Sequence, residues 1–179
     1  MENHMRISIF IAAAAAGLCL ASVAHAEGHY VKAEVGTTVN TEVGTPYGSI
    51  ELSDEATFGG YIGGAIGPVR VEAGAAHLSG NIDFYGLTVD TSAIDYNATA
   101  YLDTASGFYI GAGVDYVVAE AGIGPYSIDQ EGFGYHVSGG YAFTAAGGVV
   151  ELQATYLDAS LDDVDVSGPR FTVGYRHAL

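Results

Sequence analysis

The chain has 179 residues, with 5 Lys and Arg against 21 Asp and Glu and a formal charge of −16. That balance excludes nucleic acid as a partner, because its phosphates would be repelled. The one cysteine, Cys19, lies in the N-terminal apolar stretch, so the rest of the chain has no thiol and no disulfide.

Residues 1–26 read as a cleaved signal peptide. Arg6 supplies the positive start, Ile7 to Leu20 the apolar stretch, and Ala24-His25-Ala26 the small-residue cleavage site before Glu27. In Ala16-Gly17-Leu18-Cys19 no small residue precedes the cysteine, so lipidation is not expected. Residues 27–179 amount to one domain, and no stretch in them nears the ~18 apolar residues of a membrane helix.

The mature chain divides into about eight segments that alternate at period two. In the first, His29 to Val39, Val31, Ala33 and Val35 face one way and Lys32, Glu34 and Gly36 the other. Thr57 to Ile66 is glycine-rich, with Phe58, Ile62 and Ile66 assigned outward. Val69 to His77 sets Val71, Ala73 and Ala75 against Arg70 and Glu72. Ser92 to Leu102 sets Ile94, Tyr96, Ala98 and Leu102 against Asp95, Asn97 and Tyr101.

Phe108 to Val118 carries Ile110, Ala112, Val114 and Tyr116 on one face and Gly111, Gly113 and Asp115 on the other. Phe133 to Phe143 opposes Phe133, Tyr135, Val137 and Tyr141 to His136 and Ser138. Val150 to Leu157 opposes Val150, Leu152, Ala154 and Tyr156 to Glu151, Gln153 and Thr155. Last, Gly168 to Leu179 opposes Phe171, Val173, Tyr175, His177 and Leu179 to Arg170, Thr172, Gly174, Arg176 and Ala178.

A strand of a water-soluble core would not turn two arginines inward without an outlet. A strand of a lipid-embedded barrel does so readily, since its apolar side meets lipid and its polar side the lumen. All four mature bases (Lys32, Arg70, Arg170 and Arg176) fall on the inward register, beside Glu34, Glu72, Asp95, Asp115 and Glu151. These nine residues are expected to form an interior charge network; Arg70 with Glu72 and Arg170 with Glu34 are the pairings suggested.

Connections alternate long and short, as extracellular loops and periplasmic turns do. The long ones carry Glu42, Glu51, Asp54, Glu55, Asp83, Asp90, Asp129, Asp158, Asp162, Asp163 and Asp165, and no base. Hydrocarbon tolerates no unpaired backbone edge, so the first and last segments must pair. The expectation is all-β: a closed antiparallel up-and-down transmembrane β-barrel of about eight strands with one strongly acidic end.

The run Phe108-Tyr109-Ile110-Gly111-Ala112-Gly113-Val114, the segment Val69-Arg70-Val71-Glu72 and the stretch from Gly132 to the end resemble the small outer-membrane β-barrel proteins of Gram-negative bacteria. These are the OmpA-transmembrane and opacity-protein type, in the porin-like superfamily. The likeness spans nearly all of 27–179 and identifies architecture rather than activity. The family usually ends on an aromatic residue, where this chain has Leu179. The resemblance implies an outer-membrane location after export, surface-exposed loops, and roles from envelope structure to adhesion and host contact.

Four sets of residues invite chemistry. His136, Ser138, Asp115 and Glu151 share the inner register and could suit acyl transfer; a filled lumen, which gives a substrate no entry, favours ordinary polar neighbours. His77 faces outward without a serine and acid beside it. His29 and His177 could be cross-strand neighbours holding a metal, against the plainer reading of rings at the membrane interface. Asp158, Asp162, Asp163 and Asp165 are a divalent-cation candidate, but they lack an EF-hand's glycine and closing glutamate and read as a solvated loop.

No cofactor and no enzymatic activity are expected. The leading expectation is a structural or surface-interaction barrel whose acidic loops meet lipopolysaccharide through Ca²⁺ or Mg²⁺. A narrow cation-preferring pore, a lipid-modifying enzyme and a secreted soluble calyx are the alternatives.

Overall fold

A computed structural model describes residues 28–45, 48–52, 55–84, 87–123, 126–162 and 164–179. The expected leader, residues 1–26, lies outside them, as do Asp54 and Asp163. The strands are β1 (Gly28–Thr38), β2 (Thr41–Thr45), β3 (Gly48–Leu52), β4 (Glu55–Ile66), β5 (Val69–Phe84), β6 (Leu87–Asp103), β7 (Phe108–Ile123), β8 (Tyr126–Ala145), β9 (Gly148–Leu161) and β10 (Val164–Ala178).

Every pairing is antiparallel: β1 pairs with β4 past the β2–β3 hairpin, successive strands from β4 to β10 pair, and β10 returns to pair with β1 and β2. The ring β1-β4-β5-β6-β7-β8-β9-β10 is therefore the closed eight-stranded barrel expected. At one end the strands join through tight turns. Ala146 and Gly147 both take positive φ, 51° and 78°, as a two-residue type I′ hairpin demands.

At the other end the sequence reading is corrected. The long polar connections are not loops there; strands run through them to short tips. β5 and β6 stay paired up to Phe84↔Leu87, and β7 and β8 up to Ile123↔Tyr126. β2 and β3 continue the β1–β4 ladder in the same register, Thr38↔Glu55 leading on to Thr41↔Leu52. On the β10 side, Thr38 faces Arg170 but Glu42 faces Ser167, so the first strand holds one extra residue. Asn40, at φ 49°, sits at this bulge.

The outer wall along the lower part of the barrel is apolar, with Val35, Phe58, Ile110, Val137, Leu152 and Val173 all exposed. Aromatic rings gather at both ends of this band. Phe108, Tyr141 and Phe143 pack beside the tight turns; Tyr116 on Phe133 and Phe58 on His77 pack beside the extensions. Such belts are the mark of a wall meeting bilayer interfaces.

Inside, large and small residues alternate around the ring, as a narrow barrel requires. Tyr30 lies over Gly63, Tyr61 over Gly74, Tyr101 over Gly111 and Tyr109 over Gly140, each glycine on the next strand. A Cβ at any of the four would collide with the ring.

Candidate functional site: a charge plug beneath an acidic mouth

The inward register of the lower barrel converges into a dense ionic plug. Glu151 of β9 is its centre: Arg176 Nη2 lies 3.2 Å from the carboxylate, Arg70 Nη2 3.5 Å and Lys32 Nζ 3.7 Å. Glu72 accepts from Lys32 Nζ at 3.1 Å, from Tyr30 Oη at 2.8 Å and from Arg70. Lys32 also meets Glu34 at 3.2 Å, and Tyr61 Oη donates to Glu34 at 2.7 Å.

The tyrosines that fill the ring shield these charges. Arg70 stacks over Tyr101 at 4.1 Å, Lys32 over Tyr61 at 4.7 Å and Arg176 over Tyr30 at 4.8 Å. Tyr101 and Tyr109 both donate to Gln153 Oε1, at 3.4 and 3.2 Å. Arg70 is 0 % exposed and Glu151 1 %, so the centre of the plug is out of reach of solvent. Charge that is buried stays ionised only when paired this thoroughly.

Above the plug, Arg170 Nη1 binds Asp95 Oδ2 at 3.0 Å. This overturns the pairing of Arg170 with Glu34, whose carboxylate is taken by Lys32 and Tyr61. Arg70 with Glu72 is made. Asp103, one residue beyond the segment expected to end at Leu102, accepts from Arg70 Nε at 3.1 Å. Glu55, assigned to an outer loop, is buried in the wall's inner face and accepts from Thr91 Oγ1 at 3.1 Å.

The candidate acyl-transfer set is not assembled. His136 Nδ1 lies 2.8 Å from Asp115 Oδ1 and its Nε2 2.9 Å from Thr99 Oγ1, both within hydrogen-bond distance. Ser138 instead bonds Thr155 at 3.0 Å, and Glu151 belongs to the plug. Thr99, His136 and Asp115 are all buried, so the hydroxyl, imidazole and carboxylate brace β6, β8 and β7. The sequence reading missed Thr99; its place on the inward register of Asp95 and Asn97 was the available signal.

The other candidates gather no set of three ligands; His29 and His177 lie diagonally on the paired strands β1 and β10. His29 lies beside Leu179, whereas His177 faces Val31. His77 stacks on Phe58 at 5.1 Å. Asp158 accepts from Tyr135 Oη at 2.7 Å, Asp165 from Ser160 Oγ at 2.8 Å and Asp162 from the Glu131 amide at 3.4 Å. Among the described residues no three potential metal ligands converge.

On the extensions, Glu42, Asp90, Glu120, Asp129, Asp162 and Asp165 are exposed. The side chains of Lys32, Arg70, Arg170 and Arg176 are all turned inward, 2, 0, 7 and 15 % exposed, so no base offsets these acids at the mouth.

A closed eight-stranded up-and-down ring with an apolar belt outside and a plugged polar interior is the architecture of the small outer-membrane β-barrel proteins. No family model and no curated protein matches the chain. Among solved structures it is similar to Neisserial surface protein A (NspA), with a TM-score of 0.66 and 17% identity, covering 83% of this chain and 96% of that one. It is also similar to Ail, the attachment invasion locus protein of Yersinia pestis, crystallised with the heparin analogue sucrose octasulfate. There the TM-score is 0.60 and the identity 15%, covering 84% of this chain and 99% of that one.

Proposed function

We propose that this is an outer-membrane protein with a structural and surface-interaction role, exported after removal of residues 1–26, that presents acidic β-hairpins at the cell surface. The observation that carries the reading is the combination of a sealed lumen with a strongly anionic, base-free mouth. A barrel closed by Arg70, Glu72, Glu151 and three tyrosines leaves its protruding rim as the part that can meet a partner.

The same plug disfavours a pore, and the burial of Thr99, His136 and Asp115 disfavours a lipid-modifying enzyme. The heparin analogue bound by Ail is a polyanion. Glu42, Glu120, Asp129 and Asp162 would repel such a ligand, so the partner we propose is cationic, or is an anionic lipid phosphate bridged by Ca²⁺ or Mg²⁺.

Heat-modifiable migration of the full chain on a gel, combined with membrane fractionation, tests barrel and location together. Recovery in the outer-membrane fraction as a species whose migration shifts on boiling supports the proposal. Recovery as a soluble protein that needs no detergent overturns it.

A further inference from the structure

The polarity of the wall reverses part-way up the barrel. In the lower part the inward side chains are ionic and the outward ones apolar. On the extensions Leu157, Ala159 and Leu161 point in while Asp158 and Ser160 lie between them on the outer face. Val164 and Val166 point in, and exposed Asp165 lies out. Val117 and Ala119 point in, and exposed Glu120 follows. This is the pattern of a water-soluble calyx standing on a membrane barrel.

Together these inward residues enclose a cavity of about 400 Å³, whose walls include Val43, Leu78, Val117, Leu157, Leu161 and Val166. Its surface is almost wholly hydrocarbon, and the Arg170–Asp95 pair closes it below. A volume in the range of small-molecule sites, largely apolar and set among the extensions, is a binding site in form. Apolar cavities of this kind stay dry and take up apolar molecules.

We propose that this calyx binds one small amphiphile tail-first from the aqueous side, with an alkyl or aromatic body inside and a neutral or cationic end among the rim acids. The body is chosen by the cavity, whose surface is mostly hydrocarbon and whose charged lining groups are already engaged, Arg170 with Asp95 and Glu55 with Thr91. The charge is chosen by the rim, where Glu42, Glu120 and Asp129 are exposed, while the one base lining the cavity, Arg170, is held at its floor by Asp95. The selection is independent of what the outer face of the hairpins contacts.

The test uses the full mature chain in lipid nanodiscs and equilibrium dialysis against three labelled probes with one tail: decyltrimethylammonium, decanol and decyl sulfate. Empty nanodiscs give the uptake due to lipid. Saturable one-to-one binding of the cation and the alcohol is expected, with decyl sulfate about tenfold weaker at low salt and the gap narrowing as salt rises. Ala119→Phe and Ala93→Phe, which fill the cavity from two different strands, should each abolish the saturable uptake, with heat-modifiable migration confirming that each variant folds. Uptake equal to empty nanodiscs, equal uptake by wild type and a folded Phe variant, or preference for decyl sulfate would overturn the proposal.

Discussion

Arg170 on β10 reaches across the lumen to Asp95 on β6, 3.0 Å away, and the pair marks the level where an ionic interior gives way to an apolar one. Both side chains are buried, 7 and 1 % exposed, so the attraction mainly offsets the cost of removing both charges from solvent. Breaking the pair leaves a buried charge alone. Asp95→Ala is expected to lower the unfolding free energy by about 3–5 kcal/mol, measured by urea titration in lipid vesicles. The double variant Asp95→Leu with Arg170→Met should recover most of that loss; additive losses would contradict the assignment.

The ring of tyrosines over glycines makes a second prediction. At Gly63 an added methyl group would meet the Tyr30 ring, and at Gly140 the Tyr109 ring. Gly63→Ala and Gly140→Ala should each destabilise by about 1–3 kcal/mol through overpacking. Gly60, around which a Cβ meets nothing, is the control, and Gly60→Ala should be nearly neutral in the same titration.

The plug predicts electrical silence. In planar bilayers the wild-type barrel should pass no steady current, because Arg70, Lys32, Glu72 and Glu151 close its section. Replacing Arg70 and Glu151 together with serine removes two members that each make three ion pairs and should open intermittent conductance. Sustained wild-type current would reinstate the pore reading.

At the rim the expectation concerns divalent cations. Exposed Asp162 and Asp165 lie on the hairpin joining β9 to β10. If Ca²⁺ or Mg²⁺ links such acids to lipid phosphates, a chelator should release lipopolysaccharide from the purified barrel. Asp162→Asn with Asp165→Asn should weaken that association without altering heat-modifiable migration. Association indifferent to chelation would count against the bridge.

Much of the lower barrel was legible because a lipid-facing strand writes its two faces in opposite polarities. Arg70 and Glu72 against Val71 and Ala73 is such a signature, and so is Arg170, Thr172 and Arg176 against Phe171, Val173 and Tyr175. Closure and strand number followed from the backbone's need for partners. What was misread lies above the membrane. Leu157-Asp158-Ala159-Ser160-Leu161 alternates as strictly as any segment, but its acids and small residues suggested a loop to a reading that sought apolar residues outside. Once water replaces lipid the same period carries the reverse polarity, and Glu55 was placed outside for the same reason. Individual ion pairs were less accessible. Arg170 meets Asp95 rather than Glu34 because β6 lies across the ring from β10, a distance that no spacing along the chain encodes.

The β2–β3 hairpin has a bearing on how the cylinder shuts. Because β2 carries on where β1 stops, the joint between the first and last strands runs from Tyr30↔Ala178 past the Asn40 bulge to Gly44↔Asp165. The two sides of that joint come from opposite ends of the barrel sequence, so both edges stay unpaired until the ring closes. The bulge acts as a register key: a slip of one residue would turn Arg170 and Arg176 toward acyl chains and leave Asn40 with no kink to occupy. The bulge and the inward bases together therefore single out one alignment of β10 on β1 and β2.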